Sequence, residues 1–396
     1  MKRILIYTGH YVIDHPDRDI PLVRELRRRG YRVIHCVAGQ EIIDPGYPKS
    51  ILSNEGFRTI ETRWVNHWRD LKWLIAASDV VVVGMSKGVG RVVEVAKSLH
   101  IPTVQHENVG STDSYYFGAD WVCVRGPFFK EWFLTLYGDK VPAERVVVTG
   151  ATQFDRAQWP EIKRISRDEF CHIYGLNPDK RIAVWLPDGP QCQDEWMQNK
   201  YVEVCQMVRD SGNHSLVIKP HTGDYLKRKS ARYLNGKHSW EALVPWATVV
   251  LPEHGYVCFN VCDVGIGTQS SVSLEFPLFK KPFIYVEPNK SPILSKLSPF
   301  YPYPVSSWVG IECNASELQD ILAHERYVVA DEQLYEEHIA RYCYKNDGLA
   351  YKRIADLIDE VAQQVKPGYR WQRQVKLAAR ESKRLLSRMA SRLSLK

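Results

Sequence analysis

The sequence predicts an α/β fold built from two doubly wound units, each around a parallel sheet. Three observations carry this expectation. Apolar runs of strand length alternate with segments of helical spacing along most of the chain. Runs such as Val80-Val81-Val82-Val83 are continuously β-branched, as in strands covered on both faces. The 396 residues, 44% of them apolar, are enough for two domains of about 150 residues, each with a sizeable core.

In the first half, strands are expected at 3–7, 32–37, 79–83, from 103 onward and at 146–148. Helices are expected at 21–29, closed by Gly30 just past the end, and at 89–99. The stretch 159–168 is charged and lacks a strong pattern, so it reads as a linker. Alternation then restarts with a strand at 182–186, a helix from about 194 to 211 and strands at 215–219, 248–251, 264–267 and 283–286. The halves echo one another. Asp79-Val80, Gly84, Glu94 and Ile101-Pro102 correspond to Asp263-Val264, Gly267, Glu275 and Lys281-Pro282. In each, a strand ends in glycine, a helix carries a glutamate and a proline introduces the next strand, as two similar units would produce. The expected division is 1–158, 159–345, and a C-terminal helical segment at 346–396.

No run approaches the ~18 apolar residues of a spanning helix. Ile4-Leu5-Ile6-Tyr7 reads as a strand rather than as part of a secretion signal, which places the chain in the cytoplasm. Of nine cysteines, Cys36, Cys123 and Cys262 lie in apolar strand-like context. The close pair Cys258 and Cys262 has no second pair at zinc-site spacing, so buried thiols are expected and no metal. The net charge is +7, and residues 369–396 hold nine cations against Glu381 alone. The remainder is close to neutral, which argues against a nucleic-acid partner. In that tail Trp371, Val375, Ala378, Ala379, Leu385, Leu386, Met389 and Leu393 recur at mostly helical spacing. Arg373, Lys376, Arg380, Lys383, Arg384, Arg388 and Arg392 fill much of the rest. This is the pattern of an interfacial helix on an anionic membrane, where each cation contributes on the order of 1 kcal/mol. It points to a protein peripheral to the inner face of the cell membrane.

Ligands of open parallel sheets bind at the carboxyl ends of the strands, and most of the polar loops fall there. After the strand at 264–267, Gly267-Thr268-Gln269-Ser270-Ser271 opens a helix whose free N–H groups and hydroxyls suit a phosphate, and Glu275 suits ribose hydroxyls. Capping by Thr268 or Ser270 is the competing account. Lys219 and His221 follow another strand and supply charge and a directed donor for a diphosphate. Asp188-Gly189 and Glu253-His254 lie in two further strand-end loops. In the first half, His106 beside Glu107 is a candidate general base for an acceptor hydroxyl, with His10 and Asp14 as competitors. Lys87-Gly88-Val89-Gly90 lacks the spacing of a P-loop. Asp17-Arg18-Asp19 has the form of a metal-binding D-x-D, but beside a helix start it reads better as capping.

Four stretches, in this order, resemble the GT-B superfamily of glycosyltransferases. They are Gln105-His106-Glu107, Val148-Thr149-Gly150 through Phe154-Asp155, Lys219-Pro220-His221, and Gly267 to Ser271 followed by Lys281-Pro282-Phe283-Ile284-Tyr285. The nearer likeness is to the branch of bacterial surface-polysaccharide transferases and CDP-glycerol glycerophosphotransferases. The resemblance implies two Rossmann-like domains across a cleft, the first facing the acceptor and the second holding the nucleotide. It implies neither metal nor cofactor, and a histidine of each domain, His106 and His221, at the transfer site. Where the branch often has His-Gly-Thr-Pro, this chain has His106-Glu107-Asn108-Val109. Where it commonly has His-Pro after a lysine, His221 follows Pro220. These departures favour a UDP- or CMP-linked sugar as donor over a CDP-linked polyol. The implied reaction is inverting transfer to a lipid-linked or cell-surface glycan. Glycerol- or ribitol-phosphate transfer, sugar-nucleotide epimerisation and a non-catalytic glycan- or nucleotide-binding role are the alternatives.

Overall fold

The computed structural model describes residues 1–8, 19–37, 63–64, 68–84, 89–106, 116–187, 195–220, 240–251, 254–268, 271–287, 310–329, 331–366 and 369–393. The first half contains β1 (Arg3–Thr8), α1 (Ile20–Arg28), β2 (Arg32–Val37), β3 (Arg63–Trp64), α2 (Trp68–Ala76), β4 (Val80–Val83), α3 (Val89–Ser98), β5 (Thr103–Gln105), β6 (Trp121–Val124), α4 (Pro127–Tyr137) and β7 (Val146–Val148). Next come α5 (Thr152–Asp155), α6 (Pro160–Lys163) and α7 (Arg167–Tyr174). The second half has β8 (Arg181–Leu186), α8 (Glu195–Asp210), β9 (His214–Ile218), α9 (Trp240–Leu243), β10 (Thr248–Val249), α10 (Val257–Val261), β11 (Val264–Gly267), β12 (Phe283–Glu287), β13 (Gly310–Asn314), α11 (Ala315–Ala323) and α12 (Gln333–His338). The chain continues through α13 (Ala350–Gln363) and α14 (Tyr369–Leu393).

Two parallel sheets result, ordered β3-β2-β1-β4-β5-β6-β7 and β10-β9-β8-β11-β12-β13. In both, the order reverses beside the first strand of the unit, between β1 and β4 and between β8 and β11. Such a switch point opens a crevice at the strands' carboxyl ends. The expected α/β class and its paired parallel sheets are therefore present.

The cores follow the period-2 alternation of the strands. Ile4, Ile6, Val80 and Val82 pack on one face with Leu22, Val23 and Leu26 of α1. Leu5, Tyr7, Val81 and Val83 pack on the other with Ile75 and Val92. In the second unit Ala183, Trp185 and Ile266 meet α8 and α11. Ile182 and Val184 meet Phe170 and Phe259. A further cluster joins the units, with Phe129, Phe133 and Phe154 against Leu274, Leu278 and Tyr342.

The stretch at 159–168, which lacks a strong pattern in the sequence, is mostly helical. Pro160 sits in the first turn of α6, and Ile162 is buried with Phe170 and Cys171. Ser166 caps α7 by accepting from the Glu169 N–H at 3.2 Å. Helices this short show no periodicity. The segment after Gly267 forms two 3₁₀ turns, Ser271–Leu274 and Phe276–Phe279, instead of an α-helix. Pro277 lacks the N–H that an α-helix through this segment would need, and its ring would crowd the carbonyl of Ser273.

Although α13 lies far along the chain, it covers the first sheet. Ile354, Ala355, Ile358 and Val361 join the core of Ile4 and Val80. Asp155 caps it, accepting from the N–H groups of Ala350 at 2.8 Å and Tyr351 at 3.0 Å. The helix α14 then docks on the opposite face through Leu377. Arg373 is buried and donates to the Ser78 carbonyl at 2.7 Å, so it anchors the helix to the sheet instead of standing on an outward cationic face as expected. Trp371 and Val375 are 71% and 48% exposed, and Lys376 and Lys383 are exposed. The side chains of Arg380, Arg384, Arg388 and Arg392 lie outside the described residues. Among the described residues no helix is long and apolar enough to cross a membrane.

The eight described cysteines are all buried. Burial pushes the Cys258 thiol up to about 12. Two buried histidines set an acid limit on the fold. Burial lowers His214, whose Nε2 lies 2.8 Å from the Tyr327 hydroxyl, to about 4, and lowers His338 to about 3. Between the ordinary histidine value and these, the unfolded chain binds protons that the fold refuses, so stability falls as pH drops through that window. Thermal melts are expected to show a clear decrease from pH 7 to pH 5, flattened in His338→Gln. An unchanged slope in the variant would remove His338 from this account.

Candidate active site

Three polar side chains are buried together near the switch point of the first sheet. His106 directly follows β5, and its N–H donates to the Val83 carbonyl at 3.0 Å, continuing the ladder past the strand end. Asp19 precedes α1, and His35 belongs to β2. The Nε2 of His106 lies 3.3 Å from Oδ1 of Asp19, and the Nε2 of His35 lies 3.6 Å from Oδ2, with all three side chains wholly buried. Burial alone would push the Asp19 carboxyl up. The facing His106, and after it His35, outweigh that and hold it well below the usual carboxylate range. Among the described residues neither ring nitrogen of His106 makes a hydrogen bond, so its approach to Asp19 is a close charge contact without hydrogen-bond geometry. This corrects the reading of Asp19 as a helix cap. It stands at the N-cap position, yet its side chain makes no capping bond and faces the imidazoles instead.

In the second unit Lys219 directly follows β9. Its N–H donates to the Trp185 carbonyl at 3.0 Å, and its buried Nζ stands 5.1 Å from the Tyr256 ring centre and 5.8 Å from that of Phe259. Aromatic faces partly offset the cost of burying the ammonium. Thr268, buried, follows β11. Gly267 ends that strand where a Cβ would come within 3.0 Å of the Phe283 ring and 3.3 Å of the Leu186 carbonyl, so a side chain there would force its neighbours apart. His254 pairs through Nδ1 with the Tyr174 hydroxyl at 2.7 Å.

Glu275 is placed differently from expectation. Both carboxylate oxygens pair with the guanidinium of Arg156, one contact being 2.8 Å, and both side chains are buried. Arg156 also lies 3.6 Å over the Tyr256 ring. This buried pair ties the turn that carries Arg156 to the second unit. Ser271 lies in the first 3₁₀ turn, with its side chain outside the described residues. His10, Asp14, Glu107, Asp188, Gly189, His221, Glu253, Gln269 and Ser270 also lie outside them. Asp19, His35, Arg156 and Tyr256 were not anticipated as site residues. Asp19 alone carried a signal, as the last residue of the D-x-D. Among the described residues no group of three or more His, Cys, Asp or Glu side chains is arranged to hold a metal ion.

The paired parallel sheets, with polar side chains gathered at their carboxyl ends, define the GT-B fold. Solved structures agree. A wall teichoic acid polymerase TagF variant, H548A, superposes with a TM-score of 0.60 at 14% identity over 92% of this chain and 90% of that one. The S. aureus MnaA–UDP complex gives 0.57 at 18% identity over 91% and 96%. The UDP-GlcNAc 2-epimerase of Neisseria meningitidis bound to UDP-GlcNAc gives 0.56 at 13% over 91% and 100%. At these identities the likeness establishes the fold. No protein-family model and no curated protein matches the sequence.

Proposed function

We propose that the chain is a transferase that moves a sugar from a UDP- or CMP-linked donor to a hydroxyl of a lipid-linked or cell-surface glycan. The observation that carries this reading is a buried histidine at a strand end, His106, whose Nε2 lies 3.3 Å from the Asp19 carboxylate. In the step envisaged, the acceptor hydroxyl gives its proton to Nδ1 of His106 while its oxygen forms a bond to the anomeric carbon. The bond from that carbon to the donor phosphate oxygen breaks, and its electron pair leaves with the nucleotide. Attack opposite the leaving group inverts the centre. Asp19 keeps the imidazole oriented and stabilises the imidazolium that forms. Lys219, with Thr268 at the neighbouring strand end, would offset charge developing on the departing phosphate, and burial strengthens that effect. Residues 1–158 would serve the acceptor and 159–345 the donor. The exposed Trp371 and Val375 of α14 suit a protein that meets its acceptor at the inner membrane face.

Epimerisation of a sugar nucleotide is the second reading, favoured by superposition on a UDP-GlcNAc 2-epimerase over its whole length. Two measurements separate the readings. Thermal-shift titration against UDP, CMP, CDP, GDP and dTDP, with and without magnesium, identifies the carrier. A nucleotide at a hundred times its dissociation constant is expected to add about 2.7 kcal/mol of stability, and Lys219→Ala or His221→Ala to remove the shift. NMR of the matching sugar nucleotide without acceptor then tests the chemistry. Conversion at C2 would establish the epimerase and displace the transferase. A CDP-specific shift would favour polyol-phosphate transfer. A folded protein that responds to none of the five would favour a non-catalytic binding role.

A further inference from the structure

A cavity of about 850 Å³ lies at the opposite end of the first sheet from His106. Pro102, just before β5, Trp121, the first residue of β6, and Arg145, just before β7, line its floor. The end of α13 and the first turns of α14 form its other wall. His106 and Pro102 flank the three residues of β5 and stand about 13 Å apart along the strand, so this basal groove is separate from the candidate active site.

Its charge is one-sided. Lys97, Lys140, Arg145, Lys366, Arg373 and Lys376 line it, against Asp120 as the single acid. That acid is already engaged. Its Oδ2 accepts from the Thr103 N–H at 2.9 Å and the Thr103 hydroxyl at 2.8 Å, and Oδ1 lies 3.9 Å from Lys97. Arg373 is held by Ser78. Among the described residues no carboxylate pairs with Lys140, Arg145, Lys366 or Lys376. Arg145 is nonetheless fixed, with its guanidinium stacked 4.2 Å over the Trp121 ring. Four cations without a carboxylate partner around one concave space, one of them pre-positioned, give it a positive potential that favours an anion. Arginine offers a donor fork that fits phosphate or carboxylate, and lysine a point charge suited to phosphate. The volume exceeds that of a bare phosphate and leaves room for an esterified group.

We propose that the basal groove is a binding site for a phosphate ester. The ester would be either the headgroup of an anionic membrane lipid or a free soluble phosphate ester. The site does not depend on the transferase reading, because none of its residues belongs to the His106 or Lys219 regions. Occupation by a lipid headgroup would set α14, with its exposed Trp371, against the membrane surface.

The test compares two variants of equal net charge. One, Lys140→Ala/Arg145→Gln/Lys376→Ala, empties the groove of cations. The other, Lys163→Ala/Lys200→Ala/Arg209→Ala, removes three cations that do not line the groove. Binding is measured by flotation with vesicles of equal parts phosphatidylglycerol and phosphatidylcholine, and by thermal shift with glycerol 3-phosphate. The groove variant is expected to bind the vesicles on the order of a hundredfold more weakly, from the contribution of three cations, while the other variant binds as wild type. Vesicle binding without a glycerol 3-phosphate shift would identify the lipid as the source. A shift that the groove variant loses, without vesicle binding, would identify a soluble ester. Equal loss in both variants, no loss in the groove variant, or no binding of either probe would overturn the proposal. The nucleotide-induced shift is expected to be unchanged in the groove variant, which keeps failure here distinct from failure of the donor-site reading.

Discussion

His106→Ala is expected to lower the transfer rate by about a thousandfold, within the usual range for losing a positioned general base, while the nucleotide-induced thermal shift stays at the wild-type size. Asp19→Asn should lower the rate by about a hundredfold without removing the imidazole. The amide retains the shape of the carboxylate but supplies no negative charge to stabilise an imidazolium. The order matters, because Asp19 acts only through His106, so the double variant should be no slower than His106→Ala. Losses that multiply in the double variant would show that Asp19 has a separate task. Wild-type turnover in a folded His106→Ala protein would exclude His106 as the base and return attention to His10 and Asp14.

The second large effect is structural. Arg156→Met should destabilise the fold by about 3–5 kcal/mol, because it leaves the Glu275 carboxylate buried without its partner. Glu275→Leu should do the same in reverse. The double variant, with two apolar side chains at the contact between the units, should recover most of that loss, since a buried pair often does no better than a well-packed apolar replacement. Denaturant unfolding of the three variants checks this. The double variant also decides the role of Glu275. If it binds nucleotide as wild type does, the carboxylate is a strut. If it is stable yet loses nucleotide binding, Glu275 belongs to the donor site after all.

Strand positions were accessible from the apolar runs, since β2, β7 and β11 begin and end where those runs do. The elements that escaped were those without a clean period. The helix α4 is rich in aromatic and apolar residues on nearly every side, α6 is a single turn, and β3 has two residues. The site was only half legible. The position of a histidine after a short strand marks a strand-end loop, so His106 could be singled out. Its partner Asp19 arrives from the other side of the switch point, and no local spacing encodes that meeting. The same holds for Arg156 and Glu275, which are brought together only when the two sheets come into contact. Glu275 looked like a ligand-binding carboxylate because strand-end position was the sole clue available. Burial against a guanidinium could not be read from sequence.

The covering of the first sheet by α13 has a consequence for synthesis. Ile4, Ile6, Val80 and Val82 emerge from the ribosome early, whereas Ile354, Ile358 and Val361, which close over them, are translated after the whole second sheet. The second sheet is encoded in one continuous stretch and can mature as it appears. The first must wait with an apolar face open, the state most exposed to aggregation and most in need of a chaperone. Ribosome-stalled chains ending just before α13 should therefore protect the second sheet from protease while leaving the first susceptible, so the half made first is the half finished last.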